Sequence, residues 1–404
     1  MVKERPLRDE IMSAFDQAWG ILKRDISAPY FRNEIDLRDD VGLVDLYSGG
    51  GGTSEGARMA GIPTLYAADA WKPALDVHRA NHPEAVHDQV FFGDESTGGS
   101  HDQMVRRILD VLDGKPYHLH GSPPCTNFSM GKPSNVGSME AAVKGMEQVN
   151  WYLELVRRLK ESENKPLSWS MEQAPTSRKY LRMENTPWEQ PMGPIVRRIA
   201  SEMPTLRASD FGAPQTRGRL FLGENWNATP THLGDPRSVL DVLPHIEDEE
   251  REIIESGYKR NMLDQLINQG TITPSVADML MSAPQINLTG AVNVGEGGSP
   301  FNDQSKGYTW KHTYPATRHT SSLTSSNPAT HAWNRKLTPT EMGMLQGFPE
   351  DYDWSPAFGQ RYVSGKKSTD APSAIIGNAV SPLVSQARFL GYEPSVQTTL
   401  NRWG

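Results

Sequence analysis

Residues Leu43-Val44-Asp45-Leu46-Tyr47 run straight into Ser48-Gly49-Gly50-Gly51-Gly52 and then into a helical pattern. A short apolar strand that feeds a glycine-rich turn and a helix start is a unit of α/β architecture. Glycine there lets the backbone turn tightly and approach a ligand. The same rhythm continues along the chain. Thr64–Ala68, Tyr117–His120, Leu167–Met171 and Leu220–Leu222 read as further strands. Between them lie helical stripes: Met104, Ile108, Leu112; Val149, Leu153, Val156, Leu159; and Ile195, Ile199, Met203. Alternation of this kind predicts a doubly wound, mainly parallel sheet with helices on both faces.

The rhythm breaks near 226 and resumes at Arg335. With 404 residues the chain is long enough for about two domains. The expected division is a helical extension over 1–40, a main α/β domain over 41–226 plus 334–404, and a smaller domain over 227–333. The extension is expected from Ile11, Phe15, Ala18, Trp19 and Leu22 at helical spacing. Residues 227–333 are rich in Gly, Asn, Ser, Thr and Pro and carry an acidic run, Glu247 to Glu252. No apolar run is long enough for a membrane helix, and Met1 to Pro6 lack an apolar signal region. A single cysteine, Cys125, leaves no intrachain disulfide and no multi-cysteine metal site. The expectation is a cytoplasmic protein without metal or membrane partners, acting as a monomer. The net charge of −8 argues against a general nucleic-acid glue but leaves room for a local basic groove.

Four motifs carry chemistry. The glycine turn after Asp45 is no phosphate loop, because no Gly-Lys-Ser/Thr follows, and its spacing departs from a dinucleotide fingerprint. Asp69 ends the next strand, where an acid can bind ribose hydroxyls, and Asp94 follows a third candidate strand. These strand ends together point to a nucleoside-containing cofactor. Gly121-Ser-Pro123-Pro124-Cys125 places the cysteine behind two prolines at a strand exit, which suits a nucleophile better than a packing residue. Glu172 ends another apolar strand, where desolvation suits proton sharing. Gln215, Arg217 and Arg219 alternate into Leu220-Phe221-Leu222, so one strand face is expected to carry all three.

In this order the motifs resemble those of the DNA (cytosine-5) methyltransferases. Asp45-x-Tyr47-x-Gly49-x-Gly51-Gly52 is similar to that family's first motif, and Pro124-Cys125 to its catalytic Pro-Cys. Glu172 matches the acid of its Glu-Asn-Val motif, and Gln215-x-Arg217-x-Arg219 its Gln-x-Arg-x-Arg. Arg335 to Glu341 with Leu345-Gln346-Gly347-Phe348-Pro349, and then Gly377-Asn378-Ala379-Val380, resemble its ninth and tenth motifs. The resemblance implies a fold of the S-adenosylmethionine-dependent methyltransferase type, with 227–333 as target recognition domain. It implies methyl transfer from S-adenosylmethionine to carbon 5 of a flipped cytosine in double-stranded DNA. Cys125 would add to carbon 6, Glu172 would act at N3, and Arg219, supported by Arg217, would hold the base. Tyr47, Gly49, Gly51, Gly52, Asp69, Asp94, Pro124 and Asn378 would line the cofactor pocket.

The chain departs from the pattern in places. Gln173-Ala174-Pro175 follows Glu172 instead of Asn-Val, Thr126 replaces a glutamine, Ala70 stands where a bulky residue often follows the acid, and Ser381 precedes Pro382. Phosphate contacts are expected from Lys132, Arg178, Lys179, Arg335 and Lys336, and base reading from 287–320. Two other readings use the same residues, an RNA cytosine-5 methyltransferase and a non-catalytic nucleic-acid-binding relative. The large polar insert favours DNA, and the joint retention of Cys125, Glu172 and Arg219 favours catalysis.

Overall fold

A computed structural model describes residues 35–125, 128, 139–246, 258–270, 273–281, 285–287, 313–315, 330–331, 337–364 and 367–392. The helical extension expected over 1–40 lies outside them, except for 35–40, which are irregular. Thr126, Lys132, Arg335 and Lys336 also lie outside, as does nearly all of 287–320.

The main sheet has seven strands in the order β3-β2-β1-β4-β5-β7-β6. They are β1 (Gly42–Leu46), β2 (Thr64–Asp69), β3 (Val86–Gln89), β4 (Tyr117–Gly121), β5 (Ser168–Gln173), β6 (Thr205–Arg207) and β7 (Gly218–Glu224). The first five pair in parallel, and β7 runs antiparallel between β5 and β6. Helices α1 (Gly52–Met59), α2 (Lys72–Asn81), α3 (His101–Leu112) and α4 (Met139–Glu161) connect them, followed by the short α5 (Arg178–Leu181) and α6 (Gly193–Glu202). The five strands expected from apolar runs are present. The order reverses at β1, because β2 and β4 flank it, so ligands are expected above the C-terminal ends of the strands there.

Alternation along β1 sorts its side chains. Val44 and Leu46 join a core with Met104, Ile108, Val149, Leu153 and Leu159 of α3 and α4. Leu43 turns to the other face, against Ala57 of α1 and Phe389. Each fully buried aliphatic side chain in these layers contributes about 1.5–3 kcal/mol. Helix α3 starts cleanly because Ser100 and Gln103 form a capping box.

The C-terminal part returns to close the main body. It contains α9 (Pro339–Gln346), a hairpin of β11 (Arg361–Ser364) and β12 (Lys367–Asp370), α10 (Ala371–Asn378) and α11 (Pro382–Leu390). The segment Thr338-Pro339-x-Glu341, read above as part of a motif, is a capping box with proline in the first turn of α9. In the span 227–333, α7 (Tyr258–Asn268) and α8 (Pro274–Met281) are followed by a three-stranded antiparallel sheet, β10-β8-β9, built from Thr330–His331, Gln285–Asn287 and Thr313–Pro315. The break expected at 226 falls too early. Ala228 packs with Phe211 and Phe221, and Val239, Val242, Leu243 and Ile246 pack with Leu337, Met342, Phe348 and Ile375. An apolar stripe hidden among polar residues carries the main body on through Ile246.

Among the described residues no helix is long and apolar enough to cross a membrane. None of their His, Cys, Asp and Glu side chains form a group that could hold a metal ion.

Candidate active site

The turn after β1 is held open by its own backbone. Tyr47, Gly49 and Gly51 all have positive φ, 55°, 54° and 93°. The Gly49 N–H donates to Asp69 Oδ2 at 2.8 Å and the Trp71 N–H to Oδ1 at 2.7 Å, so Asp69 ties the turn to the end of β2. Burial raises the Asp69 carboxyl above its ordinary range, against the pull of those N–H donors. A Cβ on Gly49 would meet nothing within 4 Å, so this side of the turn is free to take a ligand. Gly52 differs. A Cβ there would stand 2.1 Å from the Val380 carbonyl oxygen. Its smallness serves the close approach of α1 to the segment after Asn378.

The Tyr47 hydroxyl donates to Gln148 Oε1 of α4 at 2.9 Å, and its ring lies 4.0 Å from that of Phe92. Gln148 Nε2 in turn donates to the Phe92 carbonyl at 3.2 Å. Asp94 is exposed, and its carboxylate accepts from the Ser96 N–H and hydroxyl, which lowers its pKa and caps a short 3₁₀ turn. Asn378 ends α10 with its side chain exposed.

Cys125 follows β4, partly buried, behind exposed Pro124. Two tethers place this exit. Ser122 Oγ donates to the Tyr47 carbonyl at 2.9 Å, and Gln173 Nε2 donates to the Pro123 carbonyl at 2.6 Å. Gln173, one of the departures noted above, thus fastens the loop before the cysteine to β5. Burial pushes the Cys125 thiol up, and the Glu172 charge pushes it further, while Arg219 and Arg217 pull it down.

Glu172 is buried, and Arg219 Nε stands 2.7 Å from its Oε1. Neither atom has a well-directed hydrogen bond, so the contact is ionic. The expected single strand face is not found, because β7 begins only at Gly218. Gln215 and Arg217 lie on its irregular approach, where the Ala208 N–H takes the Arg217 carbonyl. Arg217 donates to the carbonyls of Gly377 at 2.9 Å and Asn378 at 3.4 Å. Burial lowers its pKa to about 9, and Arg219 acts the same way. Gln215 donates to the Leu345 carbonyl and to Gln346 Oε1, and Gln346 donates to the Ala379 carbonyl. These two residues therefore brace the C-terminal segment, and Arg219 stands against Glu172.

Above the C-terminal ends of β4 and β5 the fold gathers a thiol, a buried carboxylate and two guanidiniums. Above those of β1 and β2 it places an open glycine turn and an acid. A family model for C-5 cytosine-specific DNA methylase matches residues 41–172 and 200–389. The chain belongs to that family. It is accordingly a DNA (cytosine-5)-methyltransferase of the S-adenosylmethionine-dependent class. The type II methyltransferase M1.HphI of Haemophilus parahaemolyticus is 26% identical over 362 residues, covering 85% of this chain and 84% of that protein. The type II methyltransferase M.AgeI of Thalassovita gelatinovora is 38% identical over 86 residues, 21% of this chain and 19% of that protein. Among solved structures, a candidate DNA modification methyltransferase of an E. coli prophage is 17% identical, with a TM-score of 0.48, covering 89% of this chain and 99% of that one.

Within this methylase, 173–199 lies between the two matched segments. Gln148 was not singled out in the sequence, and Gln173 and Gln346 were noted only as parts of motifs, since a glutamine's bracing role carries no signal until its long-range partner is known. Arg178, expected at phosphate, instead donates to the Ala200 and Met203 carbonyls at 2.7 Å each, closing the C-terminal end of α6.

Proposed function

We propose that this methyltransferase acts through a covalent adduct between Cys125 and carbon 6 of a cytosine swung out of the duplex. The reading rests on one observation above all, the convergence of Cys125, Glu172 and Arg219 at adjacent strand ends. The thiolate adds to carbon 6. Glu172 hydrogen-bonds or protonates N3, which draws charge from the ring as the bond forms. Arg219 holds that carboxylate and the base oxygen, and Arg217 fixes the segment around them. Carbon 5 then becomes the nucleophile that receives the methyl group. Loss of its proton and departure of the thiol restore the ring.

Tyr47, Gly49, Gly51 and Asp69 are the residues we assign to S-adenosylmethionine, with Asn378 at the rim. The open side of Gly49 and the acid beside it fit a nucleoside. When bound, S-adenosylmethionine supplies an electrophilic methyl group. The substrate assigned is double-stranded DNA, read mainly by 287–320.

Duplex DNA containing 5-fluorocytosine tests the adduct, because fluorine at carbon 5 blocks the final elimination. With S-adenosylmethionine present, the wild-type chain is expected to form a denaturant-stable complex with it. Cys125→Ser is expected to form none and to lose methyl transfer while keeping cofactor affinity. Turnover by Cys125→Ser above a few per cent of wild type overturns the nucleophile.

A further inference from the structure

We propose that the lobe formed by α5 and α6 grips the sugar-phosphate backbone of the substrate DNA beside the flipped cytosine, through Arg182, Arg197 and Arg198. This rests on the DNA methyltransferase reading and adds a contact surface that the family match does not reach, since 173–199 lies outside it.

Position is the first argument. Helix α5 follows Glu172 by only a few residues, through the 3₁₀ turn Pro175–Ser177. The lobe therefore stands at the same sheet edge as Cys125 and Glu172. Arg178 bolts α5 to the C-terminal end of α6, so the lobe is a fixed wall. Between it and Met139, the first residue of α4, opens a cleft of about 770 Å³. Arg197, Gln190 and Trp188 line it on the lobe side.

Charge is the second argument. Arg58, Arg79, Arg107, Arg157 and Arg158 each pair with a carboxylate of their own surroundings. Arg182, Arg197 and Arg198 have no such ion pair among the described residues. Arg182 and Arg198 are exposed, and half-exposed Arg197 donates only to the neutral Gln190 Oε1 at 3.2 Å. Three guanidiniums that form no ion pair among the described residues thus fall within one short lobe, which also carries Glu184, Glu189 and Glu202, of a chain whose net charge is −8. The guanidinium fork suits phosphate oxygens, and such contacts position DNA without reading its sequence.

The measurement is the salt dependence of duplex binding by the full chain, from about 50 to 300 mM KCl. Each phosphate contact contributes about 0.9 to the log–log slope. The triple variant Arg182→Gln/Arg197→Gln/Arg198→Gln is expected to lower the slope by about two to three units. KM for DNA rises, whereas kcat at saturating DNA, cofactor affinity, target sequence and unfolding midpoint stay unchanged. Lys165→Gln removes one exposed charge at the opposite edge of the sheet, before β5, and is expected to leave the slope as it is. A wild-type slope in the triple variant overturns the proposal and assigns the patch to another polyanion, such as an acidic protein surface. If the wild-type chain itself methylates no cytosine in DNA, the underlying reading fails instead.

Discussion

Cys125 is the only cysteine of the chain, which makes its ionisation directly measurable. Burial and the negative charge of Glu172 hold the thiol above its ordinary value, and Arg219 and Arg217 act against them. The rate of alkylation by iodoacetamide against pH is expected to show a midpoint above that of an ordinary cysteine. Glu172→Gln should move that midpoint down, and Arg219→Gln should move it up. A shift of either variant in the other direction would show that the three groups do not share one electrostatic site. The residues proposed to react stand out in the sequence because each carries distinctive chemistry beside a strand end. Their supports do not. Gln173 on the Pro123 carbonyl and Gln215 on Gln346 are ordinary amides whose partners lie far along the chain. The cap that Asp94 provides was not legible for a related reason, since an acid after a strand looks the same in sequence whether or not it caps the next turn.

At the scale of elements, the strands were legible wherever an apolar run exceeded its neighbours, and the three-residue β6 at the sheet edge was too short to stand out. The glycine turn was visible as a unit, but its glycines do different work. Gly49 has positive φ and empty space beside it, and Gly52 has a carbonyl where its side chain would be. Gly49→Ala should cost about 1–2 kcal/mol from left-handed strain alone. Gly52→Ala must push α1 away from Val380 and should cost about 1–3 kcal/mol as overpacking. Urea unfolding without cofactor measures both. In the Gly52 variant, lost cofactor affinity is expected to accompany lost stability. Full stability with lost affinity would instead make Gly52 a direct contact.

Across the whole molecule, one face of the sheet carries an unusual set of buried titratable groups. Asp45 accepts from Ser54 Oγ at 2.8 Å, Ser54 Oγ lies 2.9 Å from His78 Nε2, and His78 Nδ1 lies 2.8 Å from His87 Nε2. His118 and His120 contact Ser168 and Ser170 at 2.7 Å each, with the buried Arg388 guanidinium adding its charge to both. Burial, then neighbouring positive charge, holds His78 and His120 well below the usual histidine range and His118 at about 3. Burial raises Asp45 to about 7, partly offset by Ser54 and Arg388. The signs oppose each other. A histidine lowered in the fold contributes stability above about 6.5, and that contribution falls away as pH drops towards its folded value. Asp45, raised in the fold, contributes stability below about 4 that is lost as pH climbs through about 7. Between these limits three histidines act against one aspartate. Near pH 5.5 the unfolded chain therefore binds about two more protons than the fold at these four groups, worth roughly 2–3 kcal/mol per pH unit. Urea midpoints should fall steeply from pH 7 to 5.5 and level off above 7. The double variant His118→Asn/His120→Asn keeps a polar partner for each serine but cannot titrate, so it should remove most of that slope. A wild-type stability that stays flat from pH 7 to 5.5 would mean that these histidines accept protons inside the fold.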